Sequence, residues 1–151
     1  MKTVRVLAAE DNRVDAKLLR LAFESDEERS IELVMVDDGM KALAYLTGLP
    51  PYEDAAPPDL VLLDWGMPGC DGIEVLQAIR RNSRLEHLPV MMLSSLPSEV
   101  TEAKARDAKA AADGYFTKPF DGGEFPALAQ AILQLYAALQ TRGSASPQKS
   151  W

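Results

Sequence analysis

Five short, mostly apolar runs alternate with helix-periodic segments along almost the whole chain, at residues 4–8, 31–36, 60–63, 90–93 and 115–117. Runs this short, with little polar alternation, read as strands covered on both faces. After the first run, Asn12 or Asp15 is placed to cap a helix carrying Val14, Leu18, Leu21 and Ala22 at helical spacing. The spacing predicts further helices over 39–46, over 73–81, from Ser98 to about 112, and from about 124 to 140, with Pro126 confined to the first turn of the last. Strands joined through helices form right-handed βαβ units, and such units build a parallel sheet. The expected fold is therefore α/β, a doubly wound five-stranded parallel sheet.

The punctuation agrees. Residues 48–58 contain four prolines and a glycine, which excludes a helix interior or a central strand and leaves a long surface loop. Pro68, Gly69 and Gly72 mark a tight loop before the third helix. The chain divides into a domain over 1–140 and a Gly/Ser/Pro-rich tail over 141–151. The tail ends in Trp151, which reads either as a chain end without a role or as an aromatic anchor on a partner.

At 151 residues and 47% apolar, the chain can bury one sizeable core. A net charge of −7 without a basic patch argues against nucleic acid or an anionic membrane as partner. No segment resembles a leader peptide, and no apolar run approaches the ~20 residues of a membrane helix, so a cytoplasmic location is expected. The single cysteine, Cys70, fits a reducing compartment. It reads as an incidental loop residue, since the only histidine, His87, lies in an unrelated segment.

Four strand ends carry polar residues: Glu10-Asp11, Asp64, Ser94 and Lys118. In an open parallel sheet, ligands bind beyond the carboxyl ends of the strands. Three carboxylates brought together there repel one another unless a cation intervenes, and oxygen-only ligands favour Mg²⁺, with Mn²⁺ as substitute. Asp64, at the end of the most apolar strand, is placed to attack phosphorus and form an acyl phosphate. Ser94 and Lys118 bring a hydrogen bond and a positive charge to the transferred group. Each residue alone has an ordinary reading: helix N-terminal acids, a turn-capping acid, a loop serine, a loop lysine. The ordered set, one position per strand end, is far more specific.

These residues carry a resemblance. The segments "AAEDN", "LVLLDWGMPGCDGIEVL", "VMMLSSL" and "GYFTKPF" resemble the receiver domain of two-component response regulators over about residues 3–140. The resemblance implies a flavodoxin-like sheet of order 2-1-3-4-5. It implies Asp64 as phosphoacceptor, Asp11 as direct metal ligand, Glu10 acting through metal-bound water, and the backbone carbonyl of Gly66 as a further ligand. It makes Ser94 and Lys118 the phosphoryl contacts, Tyr115 the switch aromatic, and the Lys118–Pro119 bond cis.

Four residues depart from the family pattern. Ser94 replaces the commoner threonine, and Ser95 a small alanine. Gly66 and Leu96, two residues after Asp64 and Ser94, lack the polar side chains that guide attacking water, so slow autodephosphorylation is expected, unless the open space at Gly66 admits water and speeds it. The long loop over 48–58 and "RNSRLEHLPVMMLSS" are similar to single-domain regulators that work with phytochrome-type histidine kinases. The expected partner is thus a histidine kinase, of the bacteriophytochrome kind, docking beside Asp64 on the helix of Val14 and Leu18. The last helix is apolar on more than one side, through Leu128, Ile132, Leu135 and Leu139 but also Leu133 and Tyr136, which predicts burial against a partner as well as the sheet. The resemblance to single-domain receivers implies that this partner is a second copy, a homodimer docked through the fourth helix, fifth strand and fifth helix. The expected function is a phosphorylation switch in signal transduction, not a turnover enzyme. An aspartyl-phosphate phosphatase needs a second acid where Gly66 stands, and a constitutive binding module has no use for the complete residue set.

Overall fold

The computed structural model describes residues 3–67 and 69–145. The elements run β1 (Thr3–Ala9), α1 (Arg13–Glu24), β2 (Ser30–Val36), α2 (Gly39–Thr47), β3 (Leu60–Asp64), α3 (Gly72–Arg81), β4 (Val90–Ser94), α4 (Ser98–Asp107), β5 (Gly114–Thr117), a 3-10 turn (Gly122–Glu124) and α5 (Phe125–Ala145). The strands pair in parallel, in the order β2-β1-β3-β4-β5. This is the expected doubly wound sheet.

Strand side chains alternate between two cores. Val6, Ala8, Leu62 and Leu93 meet Leu19 and Phe23 of α1 and Phe125, Ile132 and Leu133 of α5. Leu7, Leu63 and Met92 meet Val75, Leu76 and Ile79 of α3. Every residue of β3 and β4 is buried, which accounts for the unbroken apolar character of these runs.

The caps refine the sequence reading. Asn12, not Asp15, caps α1, its side-chain oxygen accepting from Val14 N and Asp15 N at 3.0 Å each. Asp71 and Glu74 form a capping box on α3. Ser98 is not a cap: Pro97 precedes α4, which has no side-chain cap. That helix also stops at Asp107, short of the expected 112. Lys109 turns into the left-handed region at φ 57°, and Ala112 N then donates to the Tyr115 hydroxyl at 2.9 Å. α5 continues to Ala145, through the first residues assigned to the tail, while Trp151 lies outside the described residues.

Two further expectations change. Leu133 and Tyr136, which gave α5 its second apolar side, are buried in the chain's own core, because α1 and the sheet cover different sides of the helix. The Lys118–Pro119 bond is not cis; among the described residues the cis bond is Pro50–Pro51, in the proline-rich loop. That loop is tied to α2 by the Tyr45–Tyr52 ring pair, with centroids 5.4 Å apart, and by the Tyr45 hydroxyl donating to the Ala56 carbonyl at 2.7 Å. Cys70 is buried, and burial raises its thiol pKa, as suits an unreactive packing residue.

Candidate functional site

The sheet ladder continues one residue past three strands, and this fixes the polar residues in place. Glu10 N donates to Val36 O at 3.0 Å, Trp65 N to Leu93 O at 2.8 Å, and Lys118 N to Ser94 O at 2.7 Å. The register sets Asp64 beside Leu93 and Ser94 beside Thr117, so the four strand ends face one crevice. A cavity of about 540 Å³ opens there, lined among others by Asp11, Asp64, Gly66, Ser94, Leu96 and Lys118.

Glu10, Asp64 and Ser94 are buried, while Asp11 is exposed at the rim. Carboxylate oxygens of Glu10, Asp11 and Asp64 lie within 4.8 Å of one another. Lys118 Nζ stands 2.7 Å from Glu10 Oε1, 3.0 Å from Asp15 Oδ2 and 3.2 Å from Asp64 Oδ1. The contact with Asp15 has hydrogen-bond geometry. Glu10 Oε2 accepts from Asn12 N at 3.1 Å, but Oε1 is buried without a hydrogen-bonded partner, its close approach to the ammonium being out of line.

The electrostatics follow from crowding and burial. Burial, then the nearby Glu10 carboxylate, pushes Asp64 up to about 8, against the pull of Lys118. Burial works against the charge on Lys118 as well, but Glu10, Asp64 and Asp15 outweigh it and hold the ammonium protonated above its usual range. Three carboxylates of the acid group and Asp15 share one ammonium, and the raised Asp64 shows that this single charge does not offset them all, so the site is short of positive charge. The donor set is all oxygen, so the residues fit a hard divalent cation.

Ser94 Oγ accepts from Leu96 N at 3.0 Å, leaving its own proton free to be donated. A Cβ added at Gly66 would meet nothing within 4 Å. The crevice therefore has no side chain at the position two after Asp64, and a leucine at the position two after Ser94. Tyr115 pairs with Met92 in register, and its ring packs against the core on the α3 side, away from the crevice.

Glu10, Asp11, Asp64, Ser94 and Lys118 thus come together as the sequence predicts. The sequence reading missed Asp15 at this site. An acid in the first turn of a capped helix is accounted for by the helix dipole, so the sequence held no signal that singles Asp15 out.

Residues 6–130 match the model of the response regulator receiver domain. The response regulator Rcp1 of Synechocystis sp. is 34% identical over 94 residues, covering 62% of this chain and 63% of Rcp1. The chain spans between about half and under two thirds of the length of the first curated relatives it matches. Among solved structures, the phosphorylated cyanobacterial phytochrome response regulator RcpA superposes with a TM-score of 0.81 at 31% identity, covering 91% of this chain and 96% of RcpA. The Mn²⁺-bound form of Rcp1 superposes with a TM-score of 0.76 at 29% identity, covering 85% of this chain and 91% of that one.

Proposed function

The chain belongs to the response regulator receiver domain family, and from that membership we propose that Asp64 accepts a phosphoryl group from a histidine kinase and so switches protein–protein interactions in two-component signalling. The observation that carries the reading is Lys118 Nζ 3.2 Å from Asp64 Oδ1, beside carboxylate oxygens grouped within 4.8 Å. An ionised Asp64 oxygen attacks phosphorus, the P–N bond of the kinase phosphohistidine breaks, and its electron pair returns to the imidazole nitrogen. The product is an acyl phosphate. Lys118 and the Ser94 hydroxyl meet the phosphoryl oxygens and offset their charge. Glu10, Asp11, Asp64 and the Gly66 carbonyl would hold Mg²⁺ or Mn²⁺, which when bound neutralises negative charge on the transferred group.

Switching uses the same residues. Ser94 turns toward the phosphoryl group, and Tyr115 follows into the space vacated, giving up its bond with Ala112 N. The domain assists its own chemistry but is not a turnover enzyme. Val14 is 66% exposed on α1, and Phe120, two residues past Lys118, is fully exposed. They flank the crevice as an apolar docking face for a histidine kinase of the bacteriophytochrome kind, in keeping with the likeness to RcpA. Val100 on α4, with Leu135 and Leu139 only partly covered on α5, leaves apolar surface for a homodimer through α4, β5 and α5. Among the described residues no helix is long and apolar enough to cross a membrane. The proposed setting is the cytoplasm, without nucleic acid or membrane as partner.

Incubation with a small phosphodonor and Mg²⁺ should add one phosphate, by intact mass, to the wild type and none to Asp64→Ala. Absence of labelling of the wild type overturns the reading.

A further inference from the structure

Lys118 is a long, flexible side chain with three N–H donors, and in this crevice three carboxylates surround it. The three are not equivalent. Glu10 and Asp64 belong to the acid group that fits a cation, and Asp64 is also the group modified. Asp15 belongs to neither set, yet it is the carboxylate that takes a well-formed hydrogen bond from the ammonium, at 3.0 Å. It is also firmly held: Asp15 N donates to the Asn12 cap at 3.0 Å, in the first turn of α1. A first-turn acid without further role would point its carboxylate at solvent and find compensation in the helix dipole. This one instead meets a lysine 103 residues away whose side chain is only 10% exposed.

We propose that Asp15 is a positioning residue for Lys118: it anchors the ammonium at the mouth of the crevice throughout the phosphorylation cycle. The inference rests on the reading of Asp64 as phosphoacceptor. As the other two carboxylates become engaged, Asp15 keeps one N–H of Lys118 fixed, and the remaining two are aimed where phosphoryl oxygens arrive. Lys118 is then preorganised rather than recruited, which is where a charge of this kind gains most of its effect on rate.

The test is the rate of labelling by acetyl phosphate in saturating Mg²⁺, followed by intact mass on the full chain. Asp15→Ala should lower the rate about three- to tenfold. Asp15→Asn keeps an oxygen that accepts from the ammonium and should recover at least half of the loss. In a Lys118→Ala background, Asp15→Ala should change the rate by less than about twofold, because a residue acting through Lys118 has nothing left to position. The inference is overturned if Asp15→Ala labels at the wild-type rate, if Asp15→Asn is as slow as Asp15→Ala, or if the loss persists undiminished without Lys118. A wild-type chain that takes no label overturns the phosphoacceptor reading, and this inference with it.

Discussion

Lys118 Nζ stands 3.2 Å from Asp64 Oδ1 although the two residues come from the ends of β5 and β3, with β4 between them. The lysine reaches over Ser94 to the centre of the sheet and neutralises an acid group that a cation would otherwise neutralise. On the proposed function, lysine and cation would compete for the same carboxylates before phosphorylation and would both offset charge on the phosphoryl group afterwards.

Lys118→Ala should therefore move two measurements in opposite directions. Mn²⁺ should bind about threefold tighter or more, because a positive charge has left the vicinity of the site. Labelling by acetyl phosphate should fall about 10- to 100-fold, because the same charge is missing from the transition state. Calorimetric titration and intact mass check the pair, and a parallel fall in both would contradict the competition.

Cation binding should also depend on pH in a defined window. With Asp64 pushed up to about 8, a cation arriving at lower pH must displace its proton. The affinity for Mg²⁺ should rise as pH increases from 6 and level off above about 8. Trp65, adjacent to Asp64 on the cavity wall, offers a fluorescence readout. A flat profile between pH 6 and 8 would mean that Asp64 is already ionised.

The strand-end acids were legible because apolar strands are conspicuous and stop abruptly: Leu60 to Leu63 are buried, and the next residue is Asp64. Fold and site follow from the same punctuation. Asp15 was not legible, since a first-turn acid is equally well accounted for by the helix dipole, and only the path of Lys118 singles it out. The end of α4 was hidden because Ala110 and Ala112 suit a helix; the turn at Lys109 and the hydroxyl of Tyr115 end it by tertiary contact. The wide apolar surface of α5 was visible, but how much of it α1 and the sheet would cover was not.

The raised pKa of Asp64 has a consequence for stability. The folded value lies above the unfolded value of about 4, so the folded state keeps a proton that the unfolded state has lost. The associated stability is complete below about pH 4, declines as pH rises, and is gone above about pH 8. In the cation-free protein, Asp64→Asn should thus raise the melting temperature at pH 8 by roughly 3–6 °C while changing it little at pH 4. Scanning calorimetry in chelator at the two pH values decides the matter.

Gly66 and Leu96 bear on the lifetime of the phosphorylated state. Neither can orient water, so the acyl phosphate of the wild type should decay over minutes rather than seconds. A side chain fits at Gly66, where a Cβ meets nothing within 4 Å. Gly66→Asn should speed decay about tenfold by supplying a polar guide for the attacking water. If decay instead slows, the open space at Gly66 is itself the water's path, and a side chain blocks it.

Gly72 tests how strictly the backbone around Asp64 is set. It is the first residue of α3, its N–H donates to Trp65 O at 3.0 Å, and a Cβ there would run into the Asp64 carbonyl oxygen. That carbonyl cannot retreat easily: Asp64 is paired with Leu93 in the middle of the sheet, and the neighbouring Trp65 N–H is bonded to Leu93 O at 2.8 Å. A second neighbour, Met92 Cε at 3.0 Å, is the end of a flexible side chain and can move. The cost of Gly72→Ala therefore falls on the Asp64 backbone, at about 1–3 kcal/mol. Because the displaced atom belongs to the proposed phosphoacceptor, stability and labelling rate should fall together. Gly66→Ala, six residues earlier on the same loop, faces open space and should leave stability unchanged. Urea unfolding and labelling of both variants separate the two cases, and an unaffected Gly72→Ala would show that the end of β3 yields where the packing says it is fixed.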